Sequence, residues 1–376
     1  MPAHLLDDSL AEIEACLDAW GEPAYRARQV ARWALREGVT SFDAMTDLPA
    51  ALRARLAETY TLAPPAELAR TAADDGLTTK VLLDLGGSEP GAPGFDAVEA
   101  VRMDYDPDRP PHAAGTRGRS TVCVSTQAGC AMGCVFCATG QQGFTRNLTT
   151  SEILAQVLHF TRGEAGSRVS NVVFMGMGEP LANYGPTLRA VRWLIDPHGL
   201  DMRARGVTIS TVGLEAPIRR LAAEGLQVGL TVSLHAPDDG LRRRLIPTAG
   251  GVTIEGLLDA SREYVERTGR RVTFAYALLE GVNDEPAQAR RLAERVRGMR
   301  AHVNLIPYNP TAGEGMRRPS TARVRAFQRE LQAAGVNATV RIERGVEIAA
   351  ACGQLRTDVV AGGTTQRLSV VDSGTA

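Results

Sequence analysis

From residue 121 onward the chain alternates between short apolar runs rich in β-branched residues and longer stretches with helical periodicity, and no other feature restricts its fold so strongly. The apolar runs fall at 121–125, 171–175, 207–210, 227–234, 272–279 and 302–306. The helical stretches fall at 150–162, 187–195, 214–224, 253–267, 285–297 and 320–334. Strands joined through helices pair in parallel, so the pattern predicts a parallel α/β sheet covered by helices. Alternation alone leaves both an open doubly wound sheet and a barrel open. In either, the chemistry belongs at the C-terminal ends of the strands.

Residues 1–60 follow a different rule. Leu10, Ile13, Cys16 and Leu17 recur at helical spacing, as do Val30, Trp33 and Ala34. Ser41-Phe42-Asp43 and Asp47-Leu48-Pro49 mark two further helix starts. We therefore expect a small helical domain over 1–75, a strand-and-loop linker over 76–118 with strands at 78–84 and 98–103, the repeating unit over 119–345, and a tail over 346–376. Of the 376 residues, 44% are hydrophobic and 23% charged, which is ordinary for a globular chain. Forty-two basic against 43 acidic side chains argue against a binder driven by basic tails, but permit a local basic groove. Arg242-Arg243-Arg244, Arg270-Arg271 and Arg317-Arg318 are candidates to line one, and Lys80 is the only lysine. No run approaches the ~20 apolar residues that span a bilayer, and the N-terminal pattern is not that of a secretory signal; a cytoplasmic location is the expectation.

The six cysteines are Cys16, Cys123, Cys130, Cys134, Cys137 and Cys352. In such a chain this distribution suggests metal or redox chemistry more than a disulfide scaffold. Cys130-Ala-Met-Gly-Cys134-Val-Phe-Cys137 follows the first strand of the repeat in a Gly-containing loop, where three thiolates can close on one small metal centre. A [4Fe–4S] cluster normally takes four Cys ligands, so three leave one iron open to a substrate. A zinc site completed by Cys123 is the alternative, although zinc sites favour paired Cys-x2-Cys spacings. Taken singly, Cys16, Cys123 and Cys352 read as small buried residues, Glu99 as a solvated edge carboxylate and His235 as an ordinary polar residue at a strand end.

The Cys-x3-Cys-x-aromatic-Cys loop (Cys130, Cys134, Phe136, Cys137) resembles that of the radical S-adenosylmethionine (SAM) enzymes, and Gly176-Met-Gly178-Glu179-Pro180 resembles their Gly-Glu-Pro motif. A finer resemblance, over nearly the whole chain, is to the RlmN/Cfr family, radical SAM methyltransferases that act on an adenine of RNA. It is carried by Cys123-Val-Ser-Thr-Gln-Ala-Gly-Cys130, Gln142-Gly-Phe-Thr-Arg-Asn-Leu148, Ser210-Thr-Val-Gly213 and Ser233-Leu-His235-Ala-Pro237. Gly281-Val-Asn-Asp284, Asn304-Leu-Ile-Pro-Tyr-Asn-Pro310 and Ala350-Ala-Cys352-Gly-Gln-Leu355 extend it, and Tyr25-Arg-Ala-Arg-Gln-Val30 with Trp33 is similar to the family's accessory helical domain. The resemblance implies a partial (β/α)6 TIM-like radical SAM barrel with a small N-terminal RNA-binding helical domain.

The same resemblance implies the site. Cys130, Cys134 and Cys137 would hold a [4Fe–4S] cluster, Gly178 and Glu179 the SAM amino group, and Ser210, Ser233, Leu234, His235 and Asn309 the rest of SAM. Adenine C2 lies between two ring nitrogens and is too electron-poor to attack SAM, so a carbon radical is the workable reagent. Cys352 would take a methyl from one SAM; a second, cleaved reductively at the cluster, would give a 5′-deoxyadenosyl radical that abstracts hydrogen from the S-methyl group. The resulting methylene radical adds to the adenine, Glu99 removes the ring proton, and Cys123 attacks the Cys352 sulfur, releasing methylated RNA and leaving a disulfide to be re-reduced. Implied partners are 23S rRNA near the peptidyl-transferase centre, for some members tRNA at the adenosine beside the anticodon, and a flavodoxin-type electron donor, with the protein a monomer. The full-length helical domain favours C2 over C8, the other outcome in the family. A zinc-stabilised RNA-binding protein and a radical SAM enzyme acting on a small molecule are the remaining alternatives.

Overall fold

The structure is a computed structural model, and it describes residues 2–87, 95–105, 118–162, 169–311, 315–342 and 344–355. The polar end expected over 361–376, and the tail from 356 onward, lie outside the described residues.

The principal sheet has ten strands: β1 Glu67–Ala72, β2 Thr78–Gly87, β3 Phe95–Tyr105, β4 Arg119–Cys123, β5 Asn171–Phe174, β6 Val207–Thr211, β7 Gly229–Ser233, β8 Val272–Leu278, β9 Ala301–Pro307 and β10 Ala338–Val340. Their spatial order follows the sequence without a reversal. β4 to β10 are parallel, while β1 to β4 pair antiparallel. A doubly wound sheet reverses strand order where its helices switch faces. With no reversal, right-handed crossovers put every helix on one face and the other face curls inward. The sheet stays open, with β1 and β10 at its edges. All six expected helices form, as Thr150–Arg162, Tyr184–Ile195, Glu215–Ala223, Ile254–Thr268, Pro286–Val296 and Thr321–Ala333. Helices Ala138–Gln142 and Asp239–Leu245 and strand β10 were not expected, being too short for a periodic signal.

Side chains on the two faces differ in kind. Val207, Ile209, Leu230, Val232 and Phe274 point to the helices and are buried. Ser210, Thr231, Ser233, Ala275, Ala277 and Asn304 face inward and line a cavity. Large β-branched residues fill the interior of a closed barrel; these small ones leave it hollow.

Two parts of the fold depart from the simple repeat. The segment expected as a linker supplies β2 and β3, which with the unexpected β1 extend the barrel sheet, burying Val81, Leu83, Val98 and Val101 in the same core. The N-terminal helices Leu10–Asp18, Tyr25–Leu35 and Ala50–Thr59 join that core too. Ser9 and Glu12 form a capping box on the first of them. Asp7 accepts the Ser151 N–H at 2.8 Å, and Trp193 Nε1 donates to the Asp8 carbonyl at 3.0 Å, so this module is fastened to two barrel helices. Cys16 is partly buried against the core. No helix among the described residues is long and apolar enough to cross a membrane.

The turn after β8 explains the Gly281-Val-Asn-Asp284 motif. Asn283 is fully buried, and its side chain accepts the Leu279 N–H at 2.7 Å while donating to the carbonyls of His235 (2.8 Å) and Ala277 (2.6 Å). One amide thus ties the ends of β7 and β8 together. Asn283→Ala would strand three buried backbone groups and should cost on the order of 3 kcal/mol in urea unfolding; an unchanged midpoint would show that the turn is held by other means.

Candidate active site

The cysteine loop leaves the top of β4 on a two-stranded ribbon that pairs Gln127–Gly129 with Phe144–Asn147. The base of the ribbon requires glycine: Gly129 has φ +73°, and a Cβ there would lie 2.0 Å from the Gly143 carbonyl oxygen. Cys130 N–H donates to that same oxygen at 2.7 Å, which closes the loop. Val135 N–H donates to the Leu245 carbonyl at 3.1 Å, and Cys137 leads into the helix Ala138–Gln142.

Burial raises all three thiols of the loop. It takes Cys130 to about 11 and Cys134 well above its ordinary value, with Cys137 and Cys130 adding to the effect on Cys134. Opposing this, the Met132 N–H lies against the Cys130 sulfur and those of Gly140 and Thr139 against Cys137, donors of the kind that favour thiolates. A bound cation would displace the protons outright. An all-thiolate donor set with sulfur-directed N–H groups suits an iron–sulfur cluster. The zinc alternative fails on geometry. Cys123, its expected fourth ligand, lines the cleft it shares with Cys352 and not the cavity lined by the triad.

Across the cavity, the ends of β5 to β8 present the other expected residues. Gly178 has φ +96°, and a Cβ there would fall 2.5 Å from Cβ of Gln127, whose amide oxygen accepts the Glu179 N–H at 2.8 Å. Glu179 is 2% exposed; its carboxylate accepts the N–H of Leu181 at 2.9 Å and of Val212 at 2.7 Å, bridging the loops after β5 and β6. Burial pushes this carboxyl up to about 7. His235 sits at φ +57°, a conformation unusual for a non-glycine residue. Its Nδ1 accepts the Ala277 N–H at 2.9 Å, which assigns the proton to Nε2. Burial, reinforced by the Arg242 charge, pushes it down to about 3, so the ring is neutral. The ring of Phe136, from the cysteine loop, meets it edge-on at 4.8 Å.

The described part of the tail folds back over this opening. Arg344 donates to the Asp104 carbonyl at 2.8 Å and lies 4.3 Å over the Tyr105 ring, while Lys80 donates to the Ala349 carbonyl at 3.3 Å. Asn309 Nδ2 donates to the Cys352 carbonyl at 3.2 Å, and Ala138 N–H donates to that of Gly353 at 2.8 Å. Cys352 and Cys123 therefore share a cleft of about 510 Å³ with Met103, Tyr105 and Arg341. Burial and then the neighbouring Cys352 push the Cys123 thiol up to about 12, with Arg341 pulling the other way. Both are free thiols.

The open cavity next to that cleft measures about 1040 Å³ and is lined by Cys130, Cys134, Cys137, Gly178, Glu179, Ser210, Ser233, His235, Asn309 and Cys352. Two of the expected residues stand apart from it. Leu234 is fully buried, its N–H bonded to the Ala275 carbonyl at 3.0 Å, so only its backbone reaches the strand end. Glu99 lies behind the wall at 5% exposure, ion-paired with Lys80 at 2.8 Å. Arg341 lines both spaces and escaped the sequence reading, because it belongs to no motif and arrives through β10. The candidate basic groove is corrected as well: Arg243 and Arg244 are exposed, but Arg242 turns inward at 1% exposure, and Arg317 is ion-paired with Glu280 at 3.0 Å.

Comparisons with known proteins agree with this arrangement. The radical SAM superfamily matches residues 124–293, and the ribosomal RNA large subunit methyltransferase N-terminal domain matches residues 3–62. The chain is 47% identical to the ribosomal RNA large subunit methyltransferase N of Nitrosopumilus maritimus over 93% of its own length and 97% of that protein. It is 49% identical to a probable dual-specificity RNA methyltransferase RlmN of Chloroflexus aurantiacus, over 93% and 92% of the two chains. The crystal structure of a radical SAM methyltransferase from Sphaerobacter thermophilus superposes with a TM-score of 0.84 at 48% identity, covering 94% of this chain and 99% of that one.

Two measurements check the geometry. Gly129→Ala should lose at least half of the iron bound after anaerobic reconstitution, while Gly185→Ala, where a Cβ meets nothing within 4 Å, should retain it; equal iron would refute the requirement for glycine. For His235 the folded value lies below the unfolded one, so its contribution to stability is full above pH 6.5 and is lost as pH falls from 6.5 towards about 3. His235→Gln should flatten the stability curve in that window by up to about 1.4 kcal/mol per pH unit. Identical slopes would mean that the ring protonates freely in the folded protein.

Proposed function

The chain belongs to the RlmN-type radical SAM RNA methyltransferases, and from that premise we propose that it methylates C2 of an adenosine of 23S rRNA at the peptidyl-transferase centre, and C2 of the adenosine beside the anticodon in tRNA. The observation that carries this reading is the meeting of Cys352 with Cys123 beside a cavity whose opposite wall is the three-cysteine loop. A methyltransferase of the polar kind needs one SAM and no thiol pair. Two thiols beside a cluster loop suit a target carbon that must be reached by a radical and released by thiol exchange.

In this reading Cys130, Cys134 and Cys137 hold the [4Fe–4S] cluster, which when bound supplies the electron that cleaves SAM. Gly178 and Glu179 receive the SAM amino group, the backbone at Leu234 with Ser210, Ser233 and His235 borders the remainder, and Asn309 joins SAM to the docked tail. Two SAM molecules are consumed per turnover, the first giving its methyl to Cys352. Glu99, held by Lys80, accepts the ring proton, which requires the base to approach behind the cavity wall. Cys123 then forms a bond to the Cys352 sulfur as the carbon–sulfur bond to the product breaks; the released methylene carbon takes up a proton to become the methyl group, and the one unpaired electron left over would be taken back by the oxidised cluster. The disulfide left behind needs an external thiol reductant before the next cycle.

Support for an RNA-contacting role of residues 1–75 comes from the exposed Arg28 on the helix Tyr25–Leu35, one turn before Arg32, which is itself ion-paired with Asp47 at 2.6 Å. We divide the rest as a strand extension over 76–118, a barrel over 119–345 and a carrier tail over 346–376. A flavodoxin-type donor, a monomeric state and a cytoplasmic location complete the proposal. An adenine within folded RNA has to be splayed out to reach such a cavity, which loop nucleotides allow at least cost.

Cys352→Ala should give no methylated RNA. Cys123→Ala should leave protein covalently attached to RNA; free methylated product from that variant would remove the resolving role. Nucleoside analysis of RNA from a deletion strain should lack 2-methyladenosine at the target positions, and loss of 8-methyladenosine instead would overturn the C2 assignment.

A further inference from the structure

Arg242 has no part in the reactions above. It lies in the helix Asp239–Leu245 at 1% exposure. Its Nη2 donates to the carbonyls of Val212 and, at 3.4 Å, Ser233. Nε and Nη1 are buried without a hydrogen-bond partner. A guanidinium does not lose its proton in proteins, so this is a permanent buried charge with two idle donor nitrogens. Such a charge is unfavourable unless an anion shares its surroundings.

Its electrostatic neighbours are the Cys134 sulfur, which becomes anionic when it serves as a cluster ligand, and Asp239. Asp239 already accepts the Ile254 N–H at 2.7 Å. Among the described residues no carboxylate makes an ion pair with Arg242. Its helix is locked to the cysteine loop by the Val135 N–H on the Leu245 carbonyl at 3.1 Å, so guanidinium and thiol are carried on joined elements. Arg242 is not among the residues lining the cavity, and it would therefore act through Cys134 instead of on a substrate.

We propose that Arg242 is a positioning residue for the iron–sulfur centre: its fixed positive charge, buried behind Cys134, offsets the negative charge of the three-thiolate centre and raises its reduction potential. The proposal rests on the reading of Cys130, Cys134 and Cys137 as the cluster ligands. Reduction adds one negative charge to a centre that is already anionic, and a nearby cation in a poorly screened interior favours that state. A purely structural strut would act through the Val212 and Ser233 carbonyls, which a neutral donor can also reach.

The test is a potentiometric titration, followed by electron paramagnetic resonance, of the full-length chain reconstituted anaerobically, as wild type, Arg242→Met, Arg242→Gln and Arg242→Lys. Iron and sulfide analysis comes first: a wild type that binds no cluster defeats the ligand reading itself. With the cluster present, Met and Gln should make reduction about tenfold harder, a midpoint about 59 mV lower for a one-electron couple, and Lys should stay near wild type. Loss of the cluster from Met and Gln but not from Lys would also trace the effect to charge. A wild-type midpoint in the Gln variant, or loss of the cluster from all three, would overturn the proposal, because shape or hydrogen bonding would then be what the site requires.

Discussion

The inner face of the sheet carries small side chains, and the rest of the site depends on that. Ser210 lies opposite Thr231 and Ser233 opposite Ala275 across successive strands. Packing of the helices on the outer face supplies the hydrophobic core, with Phe274, Tyr276 and Phe327 among its fully buried members. The interior is thereby free to be a cavity. Parallel strands in unreversed order put their C-terminal ends on one rim of it, and the candidate residues that line the cavity are mounted on or beside that rim.

Rims of this kind are loops, and loops are mobile unless their polar groups are engaged. Here buried polar side chains do that work. Glu179 bridges the loops after β5 and β6, Asn283 joins β7 to β8, and Gln127 ties the cysteine ribbon to the Gly-Glu-Pro turn. Each would be costly if left unpaired, so each specifies one arrangement as well as stabilising it. The left-handed backbone at His235 persists for the same reason: its carbonyl is held by Asn283 and its ring by the Ala277 N–H.

The antiparallel extension has a second consequence. β2 and β3 cover what would be the free edge of β4, and they also form the platform on which the tail lies, through Lys80 and the Asp104 carbonyl. Cys123 is opposite Val101 in this pairing. The strand that hides an edge is thus the one that brings the tail thiol to Cys123, while the cysteine loop holds the tail from the other side through Ala138 and Thr139.

Much of this was legible in the chain. The alternation of periods determined a parallel α/β sheet, since strand and helix bury their apolar side chains at different repeats. The uneven cysteine triad and the Gly-Glu-Pro turn carried the resemblance that implied the class of chemistry, because their spacing is local and survives any packing. Other features were not local. Alternation could not choose between a barrel and a doubly wound sheet, since that depends on which strands become neighbours. Arg242 looked like part of a basic surface run, yet it is buried with the Cys134 sulfur as an electrostatic neighbour, and Lys80 proves to pair with Glu99. Residue types and spacings decided what groups were available; only tertiary packing decided which of them face each other, because burial and long-range pairing are properties of the folded surface and not of neighbouring residues.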